Sequence, residues 1–199
     1  MAASLRVQQR EQTRRALLHE SRDLFATKGY AAVSISEISA ATGVTKGALY
    51  HNFESKRALF RAVLEDVQSE VGDRVAAAAD ARTDPWDQLV TGCETFLTAC
   101  TTPEIQRIML IDGPAVLGWQ EWRAMDESAA ARHLAEALTS LMDDGVVPAQ
   151  PVAPLTHLLS GAMNEAALWL ASSPDPDALS DTLASLRRLL TAVRTDPGR

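Results

Sequence analysis

Cysteine is nearly absent: Cys93 and Cys100 are the only two, which excludes a disulfide scaffold. They stand seven residues apart in a segment that reads as helix, so about 10 Å of helix rise separates them and they cannot bond to each other within it. No histidine or further cysteine stands at a zinc-like spacing, so no metal site is expected. Aromatic residues make up only 5% of the chain. No apolar run approaches the roughly 20 residues of a membrane span, and residues 1–15 are too polar for the core of a secretory signal. A cytoplasmic protein is therefore expected. Positive charge is also scarce overall, with 19 Lys and Arg against 26 Asp and Glu and a net charge of −7.

That total conceals a division. Residues 1–61 hold ten basic against five acidic residues, a balance of +5, which leaves −12 for the remainder. Such asymmetry suggests that the N-terminal part meets a polyanion and the rest does not. A length of 199 residues and 46% hydrophobic content allow one or two compact domains with ample core.

Strand-like alternation is missing and helical spacing dominates. The first helix is expected from about Glu11 to Lys28, with Leu17, Leu18, Ser21, Leu24 and Phe25 on one face, a basic opposite face, and Gly29 as its stop. Arg6, Arg10, Arg14 and Arg15 precede or open it and could face phosphates. A second helix starts at Ser34, where Ser34-Ile35-Ser36-Glu37 forms a capping box, and ends at Thr42-Gly43. Thr45 is placed to cap a third, and Ser55 a long fourth whose Phe60, Val63, Leu64, Val67, Val71 and Val75 recur as far as about Ala81. Two short helices around a glycine turn read as a helix-turn-helix, with Ile38, Val44, Leu49 and Phe53 joining Phe25 and Phe60 in its core.

The chemistry of the third helix suits a DNA groove. A recognition helix enters a major groove about 12 Å wide, so its leading face needs small and hydrogen-bonding residues. Gly47 and Ala48 are small, Thr45 and Lys46 sit at the helix N-terminus where amide dipoles favour an anion, and Tyr50 and His51 follow one turn later. Lys56 opens the next helix as a candidate backbone clamp.

From Ser34 to Phe60, SISEISAATGVTKGALYHNFESKRALF closely resembles the DNA-binding signature of TetR-family transcriptional regulators. With the preceding helix the resemblance extends over about residues 13–60. It implies an all-α homodimer, with an N-terminal three-helix helix-turn-helix domain and a larger helical domain for ligand binding and dimerisation, divided as residues 1–55 and 56–199. The family's DNA-contact positions fall on Ser34, Ser36, Thr45, Lys46, Gly47, Tyr50, His51 and Lys56. Ser36 departs from the pattern, since many relatives carry a longer, often basic side chain there.

Beyond Thr83-Asp84-Pro85, helices are expected over about 85–101, 103–111, 118–143, 151–172 and 176–194, with breaks at Gly113-Pro114 and in the Pro148–Pro154 cluster. The alanine run 76–79 reads only as favouring helix. Leu179, Leu183, Leu186, Leu190 and Val193 form a heptad-like stripe. On the preceding helix Leu155, Leu158, Leu159, Ala162, Met163, Ala166 and Leu170 form a second stripe, where Gly161 permits close approach. Two such helices suit the four-helix dimer interface that the resemblance implies.

A ligand pocket in the central helices would draw on polarizable side chains, and Phe96, Cys100, Met109, Leu117, Trp119, Trp122, Met125, Met142, Met163 and Trp169 are the candidates, with Cys93 beside them. The break around Gly113–Trp119 is the expected pocket mouth or hinge. Asp112, Glu121, Asp126, Glu94 and Glu165 outnumber Arg107 and Arg123, which leans toward a cationic, lipophilic ligand.

No G-x-S-x-G, phosphate loop, dinucleotide fingerprint or H-E-x-x-H occurs, and no catalytic residues or cofactor are expected. The resemblance therefore implies a repressor that binds a near-palindromic operator as a homodimer and is released by a small lipophilic ligand. A DNA-binding regulator without an inducer, acting as an activator or through a protein partner, is the alternative. A small enzyme is the remote one.

Overall fold

The computed structural model describes residues 2–195, and the side chains from Val7 onward; Met1, the Arg6 side chain and residues 196–199 lie outside the described residues. The described residues are all-α, as expected. The elements are α1 (Ala2–Lys28), α2 (Ile35–Thr42), α3 (Lys46–Asn52), α4 (Lys56–Asp80), α5 (Pro85–Cys100), α6 (Pro103–Ile105), a π-helical segment (Gln106–Asp112), α7 (Gly113–Leu117), α8 (Trp119–Ser128), α9 (Ala130–Asp143), α10 (Val152–Ser172) and α11 (Ala178–Val193). Helix α1 begins earlier than expected because its first turns carry no apolar stripe to announce them. The expected helix over 118–143 is two helices, broken at Ala129, which takes φ −110° and ψ −111°. The segment expected as helix over 103–111 is largely π-helical.

Capping chemistry is where the sequence placed it. Ser34 Oγ accepts from the Glu37 amide at 3.2 Å and closes the capping box. Thr45 Oγ1 accepts from Ala48 N at 3.2 Å, and Ser55 Oγ from Ala58 N at 3.0 Å. Asp84 caps α5 through the Asp87 amide at 3.0 Å, with Pro85 in the first turn, where its missing N–H has no partner to lose.

Two compact units result, one of residues up to Val67 with Arg107–Trp122, the other of Gln68–Gln106 with residues from Arg123 onward. These units divide within α4, between Val67 and Gln68. Leu59, Phe60, Val63, Leu64 and Val67 bring the first three turns of α4 into the core of the first unit, and the 107–122 excursion joins it with Ile108, Met109 and Trp122 buried. Phe25, Tyr30 and Phe60 form an aromatic cluster, with centroid distances of 5.3 Å for Phe25–Phe60 and 5.1 Å for Tyr30–Phe60.

In the second unit α5 packs against α9, α10 and α11. Leu89, Phe96, Leu97, Leu134, Leu138, Leu159, Leu186 and Leu190 are buried there. Cys93 and Cys100 are free and buried, and burial pushes both thiols up to about 12, so neither is a nucleophile at neutral pH. Gln106 Nε2 donates to Ala167 O at 2.9 Å, and Arg187 on α11 pairs with Glu94 on α5.

One glycine is fixed by close approach. A Cβ on Gly113 would fall 2.8 Å from Trp122 Cδ1 and 3.0 Å from its Nε1. That indole cannot retreat freely, because it is buried and donates to Met109 O at 2.7 Å. Gly113→Ala should therefore cost about 1–3 kcal/mol by overpacking, read as a lowered denaturation midpoint in the intact protein. An unchanged midpoint would show that the indole has room to move.

Candidate nucleic-acid interface and ligand cavity

Helices α2 and α3 are joined by Gly43-Val44-Thr45. Gly43 takes φ +66°, a left-handed conformation that ends α2 and disfavours any side chain, although no atom lies near enough to clash with one. Leu49 and Phe53 anchor α3 from its inner face, while Val44 is half-buried. Arg14 lies over the Phe53 ring, 4.5 Å from its centroid, and Arg15 pairs with Glu11 at 3.1 Å, so both arginines already serve the head's own structure.

The outer face of α3 has little to do for the fold. Thr45, Lys46, Gly47, Tyr50 and His51 are exposed, Tyr50 at 52%. Among the described residues Lys46 has no ion-pair partner. A Cβ on Gly47 would meet only Thr45 Oγ1, at 4.0 Å. Glycine within a helix costs roughly 1 kcal/mol against alanine, and neither φ nor packing requires it here. Its effect is to keep the face low between Lys46 and Tyr50. Ser34 and Ser36, also exposed, stand at the start of α2.

Lys56 corrects the sequence reading. Its Nζ donates to Tyr30 O and Val33 O, both at 2.8 Å, and lies 4.0 Å from the centroid of the Tyr30 ring. Partial burial lowers its pKa. The ammonium is thus a brace for the loop between α1 and α2 and is not presented outward as a phosphate clamp. The neighbouring cation, Arg57, was not singled out in the sequence. It donates to Val116 O at 3.3 Å, Leu117 O at 3.1 Å and Glu121 Oε2 at 2.6 Å, while Arg61 holds the other Glu121 oxygen at 3.1 Å. The Arg57 hydrogen bond, with help from Arg61, holds the Glu121 carboxyl below its ordinary range. Asp112 Oδ2 accepts from the Tyr30 amide at 2.8 Å. Within the first unit, then, both ends of the 107–122 excursion are tied to the head.

These contacts also revise the expected pocket. The Gly113–Trp119 break is an anchorage for Arg57 and lines no part of the cavity that the second unit contains. That cavity has a volume of about 190 Å³. It exists because small side chains face one another: Ala76 and Ala79 on α4, Gly92 on α5, and Ala130, Ala131 and Ala137 on α9. The alanine run read only as helix-favouring thus supplies part of a wall. Leu89, Cys93, Phe96, Leu134 and Met163 complete the apolar lining, Asp126 and Ser160 supply polar groups, and Asp80, Gln88 and His133 also border it.

Of the pocket residues expected from sequence, Cys93, Phe96 and Met163 line this cavity. Cys100, Met109, Leu117, Trp122 and Met125 are buried as core elsewhere, Met142 is half-buried away from the lining, and Trp119 and Trp169 are exposed. The lean toward a cationic ligand loses its basis as well. Asp112 and Glu121 are engaged in the first unit, Glu94 pairs with Arg187, and Glu165 is exposed outside the lining. Asp126 alone of the five reaches the cavity, and Arg123 already pairs with it at 2.7 Å.

The stripes on the last two helices are partly turned inward. Leu159, Met163, Leu186 and Leu190 are buried within the protomer, and Leu155, Leu179, Leu183 and Val193 are half-buried. Exposed apolar surface on these helices belongs to Leu158, at 71%, which lies on the second stripe, and to Trp169 and Leu189, which lie outside both. Leu158, Ala162, Glu165 and Trp169 recur at helical spacing along one exposed edge of α10.

Residues 17–63 match the family described as "Bacterial regulatory proteins, tetR family", and residues 86–193 match "Tetracyclin repressor-like, C-terminal domain". The chain is 28% identical over 149 residues to the transposon Tn10 TetC protein of Escherichia coli, covering 75% of each. A crystal structure of a TetR-family transcriptional regulator from Pectobacterium atrosepticum is 34% identical, with a TM-score of 0.78 over 95% of this chain and 97% of that one. RolR in complex with resorcinol shares the fold at 20% identity, with a TM-score of 0.71 over 92% of this chain and 89% of that one. Among the described residues no helix is long and apolar enough to cross a membrane.

Proposed function

Since the chain belongs to the TetR family of bacterial transcriptional regulators, we propose that it is a repressor that binds a near-palindromic operator as a homodimer in the cytoplasm and is released by a small molecule held in the second unit. The observation that carries the DNA half is the outer face of α3, where Lys46, Tyr50 and His51 are exposed around a glycine that the fold does not need. Thr45, Gly47 and the α2 start at Ser34 and Ser36 extend that surface. Lys56 supports it from behind by fixing the α1–α2 loop. No catalytic step is assigned.

Dimerisation is proposed through the exposed edge of α10 and through Leu189 on α11, since apolar groups such as Leu158 and Trp169 gain most from a partner. Two copies so joined would offer their α3 helices to successive major grooves, roughly 34 Å apart. The cavity of about 190 Å³ supports the ligand half, and a ligand of modest size is at home in this fold, as RolR with resorcinol illustrates. Helix α4 starts with Lys56 and Arg57 and carries Val75, Ala76 and Ala79 on the cavity wall at its far end. A ligand that favours a different course of this helix would oppose operator binding, and operator would oppose ligand equally.

Selection of bound fragments from the source genome would supply the operator. On it, Lys46→Ala and Tyr50→Ala should weaken binding, and Lys46→Ala should reduce the slope of log affinity against log salt by about one. Slopes and affinities unchanged in both variants would remove α3 from the interface.

A further inference from the structure

The cavity of the second unit is specific about what it can hold. Its volume of about 190 Å³ is modestly larger than the cavity of about 150 Å³ that takes up benzene in an engineered protein. A single ring with a small substituent fits this volume. Phe96, Cys93, Met163 and Leu134 offer a polarizable and apolar wall to such a ring.

Polarity is concentrated where Asp126 and Ser160 meet. Asp126 is only 1% exposed. Arg123 Nη1 donates to its Oδ2 at 2.7 Å and to Ser160 Oγ at 3.0 Å, and Ser160 Oγ lies 3.4 Å from the same carboxylate oxygen. Both contacts engage the same Asp126 oxygen, and Asn164, one turn beyond Ser160 on α10, keeps a buried Oδ1 with no partner. Acceptors are therefore in excess at this end, and a ligand must bring a donor. In the buried part of the site charge is already matched, because Arg123 meets the Asp126 carboxylate at 2.7 Å, while its Nε also reaches the exposed Glu127 at 3.4 Å. A cation would add an unmatched charge to the buried pair, and an anion would meet a carboxylate, so both are penalised by desolvation.

From this arrangement we infer that the cavity binds a small, uncharged, monocyclic compound with one hydroxyl group, a simple phenol, whose ring lies against Phe96 and Met163 and whose O–H donates to the Asp126 carboxylate. The inference rests on the reading above that this cavity is the ligand site.

The test is calorimetric titration of the full-length protein without DNA, using p-cresol, its deoxy analogue toluene and the cation benzylamine. The p-cresol should bind at least tenfold more tightly than toluene, because a site built to accept a hydroxyl proton discriminates against the analogue lacking it. Benzylamine should bind no better than toluene. Ala137→Phe and Ala76→Phe, which fill the space from different helices, should each abolish p-cresol binding with helical content retained; binding unchanged in a folded variant would place the compound elsewhere and overturn the assignment. Equal affinity for toluene and p-cresol, a preference for benzylamine, or no binding by any of the three would also overturn it. If p-cresol binds as expected yet leaves operator affinity unchanged, the ligand class stands and release by ligand falls. If an unrelated compound releases the operator and p-cresol does not bind, the reverse holds.

Discussion

Phe60→Ala should unfold the DNA-binding head and abolish operator binding, although Phe60 lies on α4 and outside the helix-turn-helix itself. The ring is fully buried and meets Phe25 at 5.3 Å and Tyr30 at 5.1 Å between centroids. Both contacts are edge-to-face, at 76° and 68°, the arrangement in which aromatic quadrupoles attract. Truncation to alanine removes the transfer energy of the ring and leaves a cavity, for about 3–5 kcal/mol. A small domain has only roughly 5–15 kcal/mol in all. Tyr30 also carries the amide held by Asp112 and the carbonyl held by Lys56, so a loosened cluster disturbs the loop that leads into α2. Hydrogen exchange on the intact protein should show protection lost across α1–α3, and operator binding should fall below detection. Phe60→Leu keeps most of the apolar volume and should retain binding. Full protection in Phe60→Ala would mean that the remaining two aromatic rings hold the head without it.

Local chemistry was legible in the sequence because its partners are three or four residues apart. The capping box at Ser34, the Thr45 and Ser55 caps and the glycine stop at Gly43 each require only neighbours, and each occurs as expected. The inner face of α3 follows from the same logic, since Leu49 and Phe53 repeat at helical spacing. Lys56 shows where this logic ends. A lysine opening a helix beside a recognition helix reads as a phosphate clamp, but its acceptors, Tyr30 O and Val33 O, lie 26 and 23 residues away. Asp112 and Tyr30 are 82 residues apart, and nothing in either local pattern announces the pair.

Expectations for the cavity failed in a related way. Large polarizable residues make good linings, yet in this fold most of them fill space, as Met109, Trp122 and Met125 do. Space is left where residues are small, and the signal was in the facing alanines of α4 and α9 and in Gly92. On α10 and α11 a periodic apolar stripe could not by itself distinguish a protomer's core from an interface, because both demand the same spacing. Of the residues that remain exposed, Leu158 lies on the predicted stripe of α10, whereas Trp169 and Leu189 lie beside the stripes. The charge division narrows but keeps its sign: residues 1–67 with 107–122 hold 11 basic and 9 acidic residues, and the rest hold 8 and 17. The +5 part carries α3, while the cavity lies in the acidic remainder with its one lining carboxylate from the predicted set already matched by Arg123.

Lys56→Met separates a brace from a clamp. Methionine preserves the length and apolar stem of the side chain but leaves the Tyr30 and Val33 carbonyls without their donor and removes the charge from the face of the Tyr30 ring. Hydrogen bonds from a charged donor contribute about 1.5–3 kcal/mol each, and the ring contact adds about 0.5–1 kcal/mol. Relief from partial burial of the ammonium offsets part of this, so a net loss of about 2–4 kcal/mol is expected by the same hydrogen-bond scale, measured by chemical denaturation. Operator affinity should fall because the loop before α2 is less well held, yet the salt slope should stay as it was, since no phosphate contact is lost. Lys46→Ala should do the opposite, leaving stability within about 0.5 kcal/mol of the parent, as exposed substitutions do, and lowering the slope by about one. A Lys56→Met protein of unchanged stability whose salt slope drops by one would return Lys56 to the DNA backbone.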